Sequence, residues 1–208
     1  MNVKRNFLDL NNNKKYTLFE EHDAVEKISL NLLSSIPVNR QKSIVVACIG
    51  TDRSTGDSLG PLVGTFLSEK PTSPFLVYGT LENPIHAVNL QEKVQEIKDK
   101  HHDPFIIAVD ACLGRMKNVG TVQIGDGPLK PGAGVNKNLP EVGNIHITGI
   151  VNVSGFMEFF VLQNTRLNLV VKMAKIIADS IYVAGESLTT QATFNDLSWT
   201  FDQKEATT

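Results

Sequence analysis

Ile44-Val45-Val46-Ala47-Cys48-Ile49-Gly50-Thr51-Asp52-Arg53-Ser54-Thr55-Gly56-Asp57-Ser58-Leu59-Gly60-Pro61 opens as an apolar run and breaks into a small, polar loop punctuated by glycine. The chain then enters a helical pattern at Leu62-Val63 and Phe66-Leu67. A strand, a Gly-punctuated loop and a helix in that order are the unit of an open α/β fold. In such folds ligands and catalytic groups collect just past the carboxyl end of the strand. The loop holds Asp52, Arg53 and Asp57 at that place.

Outward from this unit the same alternation recurs. Phe105-Ile106-Ile107-Ala108-Val109 is a second apolar run and ends on another carboxylate, Asp110. The pattern predicts strands over 43–49, 75–79, 105–110, 120–124 and 144–153. It predicts helices over 17–36, from Pro61 to Glu69, over 85–101 and over 154–184. Such alternation argues for α/β architecture, a mostly parallel sheet with helices on both faces. Right-handed crossovers are then expected to bring every strand's carboxyl end to one edge. A single domain over 17–184 is expected, after a polar extension, 1–16. A polar tail, 185–208, is expected to pack back on the body through Phe194, Leu197, Trp199 and Phe201.

The bulk composition excludes several classes. The 208 residues are 41% hydrophobic and 20% charged, with a formal net charge of −2 and no long basic run. That fits a globular domain and lacks the electrostatic footprint of a nucleic-acid binder. The start of the chain has no signal-peptide layout, and charges interrupt its most apolar stretch, so neither secretion nor a membrane span is expected. The expected setting is the cytoplasm. Cys48 and Cys112 lie in or beside apolar strand segments and read as buried, reduced residues. The helix over Phe156–Tyr182 is apolar around most of its circumference and could support a homodimer.

The putting-together of strand ends defines a candidate site: Asp52, Arg53 and Asp57 from the first, Glu82, Asn83 and His86 from the second, Asp110 from the third. The glycines at 50, 56 and 60 match neither a P-loop nor a dinucleotide fingerprint. On spacing alone Asp57 reads most simply as a helix N-cap. Asp110 at the end of a buried strand needs a partner or a raised pKa. His146 alternates with Ile145 and Ile147 and reads as a satisfied structural histidine, and His101-His102 as a solvated pair at a helix end. Gly132 and Gly134, in a Gly/Pro-rich loop, could offer backbone N–H groups to a substrate or an oxyanion.

The order Ile49-Gly50, Thr55-Gly56-Asp57-Ser58-Leu59-Gly60-Pro61, then Ile106-Ile107-Ala108-Val109-Asp110-Ala111, resembles the germination protease of spore-forming bacteria. The resemblance runs over about 44–153, through Val122-Gln123-Ile124, Pro131-Gly132-Ala133-Gly134-Val135 and Gly149. Overall the chain is similar to the YyaC-type sporulation proteins, and more distantly to the hydrogenase maturation proteases. The resemblance implies a three-layer αβα sandwich of the phosphorylase/hydrolase-like, hydrogenase maturation protease type. It also implies an aspartic-type endopeptidase with Asp57 and Asp110 as the catalytic pair. A protein or peptide substrate is expected, in the forespore or mother cell, with no cofactor. Two other readings stay open. One is a metal-assisted hydrolase holding a divalent ion through Asp57, Asp110 and His86 or Glu82; the other is a non-catalytic sporulation protein that binds a partner peptide.

Overall fold

The computed structural model describes residues 15–37, 42–71, 74–131 and 139–205, with side chains to residue 190. Six strands form one sheet: β1 (Lys15–Leu18), β2 (Ile44–Cys48), β3 (Phe75–Tyr78), β4 (Phe105–Gly114), β5 (Thr121–Asp126) and β6 (Ile145–Val153). Their spatial order is β1-β5-β6-β4-β2-β3. The four strands β6, β4, β2 and β3 run parallel. The helices are α1 (Ala24–Leu33), α2 (Leu59–Ser68), α3 (Leu90–His101), α4 (Glu158–Gln163) and α5 (Leu167–Glu205).

The core has two parts, one on each face of the sheet. On the first face α1, α2 and α5 bury Ile28, Leu32, Leu59, Val63, Met173, Ile177 and Ile181 against Val46, Ile107, Val109 and Ile147. On the second, Leu90, Val94 and Ile97 of α3 cover Val45, Ala47, Ile106 and Ala108. Alternate residues of β2 and β4 therefore face opposite layers, which is the period-two geometry of a strand buried on both sides. The α/β class with a mostly parallel sheet is the observed one.

Several boundaries differ from the sequence expectation for identifiable reasons. The first predicted helix, 17–36, gives up its start. Tyr16 and Thr17 join an edge strand that pairs antiparallel with β5, and Glu21 accepts the Leu18 N–H at 3.0 Å in the turn that follows. The domain thus begins inside the expected polar extension. The helix predicted from 85 starts at Leu90, because Ile85 bridges to Ile49 and the Asn89 side chain ties His86 N–H and the Pro84 carbonyl into a turn. β4 runs on to Gly114, since β6 continues to pair with it past a register shift at Cys112/Leu113. β5 is antiparallel to β6, so its amino end, and not its carboxyl end, reaches the site edge.

The long apolar helix over 154–184 is two helices, with Met157 left-handed at the start of the first. Of the expected tail, 185–208, residues 185–205 continue α5, and 206–208 lie outside the described residues. The side chains of Phe194, Leu197, Trp199 and Phe201 lie outside the described ones. One face of α5 is consumed within the chain by α1 and α2, leaving the exposed Phe156, Met157, Phe159 and Phe160 as the apolar surface a second copy would have to cover. His101 is not simply solvated: its Nε2 shares a 2.7 Å hydrogen bond with Tyr78 Oη. No described helix is long and apolar enough to cross a membrane.

Ile177 is fully buried between α5 and the sheet. Ile177→Ala is expected to cost about 2–5 kcal/mol, read as a lower urea midpoint with an unchanged m-value.

Candidate functional site

β2 ends at Cys48, level with Val109, while β4 continues. The Ile49 N–H still donates to the Val109 carbonyl at 2.7 Å, and the Gly50 N–H donates to Ile85 at 2.8 Å. Beyond that point a single 3-10 turn (Gly56–Ser58) occupies the place beside β4 that β2 has left. The turn is folded back onto the strand end by Thr51 N–H, which donates to the Asp57 carbonyl at 3.1 Å.

Two glycines make this return path passable. Gly50 has φ +146°, and a Cβ there would stand 1.9 Å from the Asp57 carbonyl oxygen. A Cβ on Gly60 would stand 2.0 Å from the carbonyl oxygen of Ile49. Both are backbone-on-backbone contacts, which only glycine allows. Asp57 is therefore placed by two close approaches of the backbone to itself. Its carboxylate does not cap α2: Ser58 stands at the N-cap, without a side-chain capping bond.

Asp110 senses the charge of Asp57, after its own burial. Asp110 is directly in register with Thr148 of β6, and its Oδ1 accepts the Ala111 N–H at 2.8 Å. The residue retains some surface, but its carboxyl group is enclosed by protein, and this desolvation pushes its pKa from 3.8 up to about 8. The Ala111 N–H bond opposes that rise, and the negative charge of Asp57 adds to it. Asp57 is also raised, by burial first, with the Ser54 hydroxyl acting in the opposite direction. That hydroxyl is buried yet forms no hydrogen bond of good geometry. One site thus contains two carboxylates that resist ionising, one more strongly than the other.

The remaining predicted residues divide. Asp52 and Arg53 are exposed in the loop before the short turn, and Glu82 and Asn83 are exposed beyond β3. His86 is half-buried near the end of β2, and its Nδ1 accepts the Val88 N–H at 3.3 Å. Gly132 and Gly134 lie outside the described residues. Among the described residues no group of three or more His, Cys, Asp or Glu side chains converges as a metal site requires. His86 and Glu82 therefore do not complete a ligand set with Asp57 and Asp110. His146 is half-buried, its Nδ1 3.0 Å from the Gly127 carbonyl, so it is satisfied as a structural histidine would be.

Sequence reasoning missed Ser54, Thr148 and Gln123. The alternation of β6 was the available signal for Thr148, which follows His146 on the same face. Gln123 needed the strand pairing itself, since it faces Thr148 only because β5 turns back along β6. Cys48 is buried, and burial raises its thiol far above the ordinary range.

The fold and site define an α/β domain with one aspartate inside β4 and another in the short turn packed beside that strand. Residues 16–180 match the family described as "Protein of unknown function (DUF1256)", and the chain belongs to that family. It is 57% identical over 184 residues to the "Uncharacterized protein YyaC" of Bacillus subtilis (strain 168), an alignment covering 88% of this chain and 90% of that protein. Among solved structures it is similar to the NiFe hydrogenase maturation protease HycI of Thermococcus kodakarensis KOD1. That match has a TM-score of 0.49 and 19% identity, over 74% of this chain and 98% of the other.

An acid with a raised pKa keeps its proton in the folded chain at pH values where the unfolded chain has lost it. Asp110 therefore makes the fold progressively less stable as pH rises from about 4 to about 8. Asp110→Asn is expected to flatten that slope and to raise Tm at pH 8 by about 2–6 °C; calorimetry from pH 4 to 9 checks it. Gly50→Ala is expected to cost about 2–4 kcal/mol, through its Cβ against the Asp57 carbonyl and its strained φ, measured by urea unfolding.

Proposed function

We propose that this protein is a peptidase that hydrolyses a polypeptide substrate with Asp57 and Asp110 as an acid–base pair. The observation that supports the reading is the unequal enclosure of two carboxylates on neighbouring elements, β4 and the turn packed beside it, which raises Asp110 further than Asp57. The resemblance to the germination protease and the Bacillus relative support a role in sporulation. No step requires Gly132 or Gly134.

Near neutrality Asp110 is the protonated member, held so by desolvation and by the charge of Asp57. Asp57, less shielded and beside the Ser54 hydroxyl, is the ionised one. A water between them loses a proton to Asp57 as its oxygen attacks the scissile carbonyl carbon. Asp110 gives its proton to the carbonyl oxygen, so the tetrahedral intermediate forms without a bare charge. On collapse the C–N bond breaks, Asp57 passes its proton to the leaving amine, and the intermediate's hydroxyl returns one to Asp110. The pair ends as it began.

Either Asp57→Asn or Asp110→Asn is expected to lower kcat by at least about 10³-fold, in a mass-spectrometric assay on spore proteins of a Bacillus. The rate is expected to fall above pH 8, as Asp110 loses its proton, and to fall on the acid side as Asp57 gains one. Chelators are expected to leave the rate unchanged. Cleavage that persists undiminished in both variants would reject the pair.

A further inference from the structure

On the face that carries α3, that helix covers β2 and the first half of β4 only. Over β6, β5 and β1 no described helix lies on this face, and side chains of the sheet floor a cleft of about 860 Å³ beside the segment Pro128–Lys130. The strand registers align Asp110 with Thr148, Thr148 with Gln123, and Gln123 with Tyr16. Residues opposite one another in a ladder share a face. The last three line the cleft, and the row leads straight to the Asp110 carboxyl.

The row crosses three strand spacings, about 14 Å, which is the length of about four extended residues. It offers the Tyr16 hydroxyl and the Gln123 amide, steadied from below by the buried Thr148 hydroxyl, which donates to Gln123 Oε1 at 3.5 Å; these are partners that a peptide backbone needs and an apolar ligand does not. The charge on the walls is one-sided. Arg115, Lys117 and Lys130 line the cleft, and no Asp or Glu does so among the described residues, although the chain as a whole carries −2. Lys130 is partly neutralised by Glu141 at 2.9 Å, whereas Arg115 and Lys117 are exposed and form no ion pair among the described residues. Arg115 lies five residues past Asp110, just beyond the end of β4, so its backbone stands about 16 Å from that of Asp110.

We infer that this cleft binds an extended acidic stretch of polypeptide, with carboxylates on Arg115 and Lys117 and backbone over Thr148 and Gln123. The inference deepens the peptidase reading by naming its substrate class, and rests on that reading only for the destination of the chain. Two unpaired cations and one exposed aromatic ring are too few to favour a nucleic-acid strand, which needs a continuous basic track and stacking platforms.

The probe is a fluorescein-labelled ten-residue peptide of Gly, Ser and four Glu, titrated with the full-length Asp57→Asn protein and followed by anisotropy. The expected dissociation constant is in the range of about 1–100 μM, weakening about tenfold on Arg115→Glu with Lys117→Glu and weakening with salt. A Lys-for-Glu version of the peptide is expected to bind at least about tenfold more weakly. Thr148→Leu, which fills the floor without touching charge, is expected to reduce binding of the Glu peptide as well. Urea unfolding confirms that each variant is folded. No binding, binding indifferent to charge reversal, or equal competition by inorganic phosphate or a single-stranded oligonucleotide would overturn the inference. Cleavage by the unmodified protein bears on the aspartate pair alone: binding without cleavage keeps the cleft and counts against the peptidase.

Discussion

The site depends on one contact that no side chain could share: the backbone of Gly50 against the carbonyl of Asp57. A Cβ at that point would sit 1.9 Å from the carbonyl oxygen, deep inside any allowed separation. Because Gly50 leaves the space empty, the loop from β2 can fold back and seat the short turn beside the unpaired stretch of β4. Gly60 repeats the device against Ile49 one helical turn later. The early end of β2 and the long run of β4 are thus parts of one arrangement. The gap left by one strand is filled by the turn that carries the first carboxylate, against the strand that carries the second.

Packing and electrostatics pull in opposite directions there. The strand end is enclosed because parallel strands must be covered on both faces. Enclosure strips water from Asp110, and Asp57 adds like charge. A sheet built only for stability would carry an apolar or amide side chain at that position. Keeping an acid in so poor an environment is the kind of local penalty that sites of proton transfer require.

The same sheet is unequally covered. The first face is sealed by α1, α2 and α5, so fully that Met173, Ile177 and Ile181 have no exposed surface. Among the described residues the second face has one helix, of twelve residues, with Leu129, Leu139 and Val142 packed beside it, too little to cover six strands. The polar alternation of β5 and β6 suits that half, where Gln123 and His146 are half-buried and the buried Thr148 donates its hydroxyl to Gln123 Oε1 at 3.5 Å. On the other side of the short turn, Leu162 of α4 packs against Gly56, while Phe156 is 91% exposed. The carboxylate pair therefore lies between a polar, cationic cleft and an apolar lip.

Asp110, expected at a strand end, lies inside β4, which runs on to Gly114, whereas apolar runs separated by glycine-rich loops were enough to establish strands β2, β3, β4 and β6 and their parallel sense. Those are local properties: a strand buried on both faces must be written as consecutive apolar residues, and a chain reversing on itself must be written with glycine. The edge strand at Tyr16–Leu18, the antiparallel return of β5, the break after Gln163 and the continuation of α5 were not legible in that way. Each depends on a partner distant in the chain, and short segments of mixed character take the structure their neighbours offer. For the same reason the sequence by itself determined which carboxylates are candidates. Only the tertiary structure decided that Glu82, Asp52 and Arg53 stay in solvent, that Asp110 loses it, and that Thr148 and Gln123 lie in one row with Asp110. Solvation and strand register are properties of what surrounds a residue, and the surroundings are set by folding.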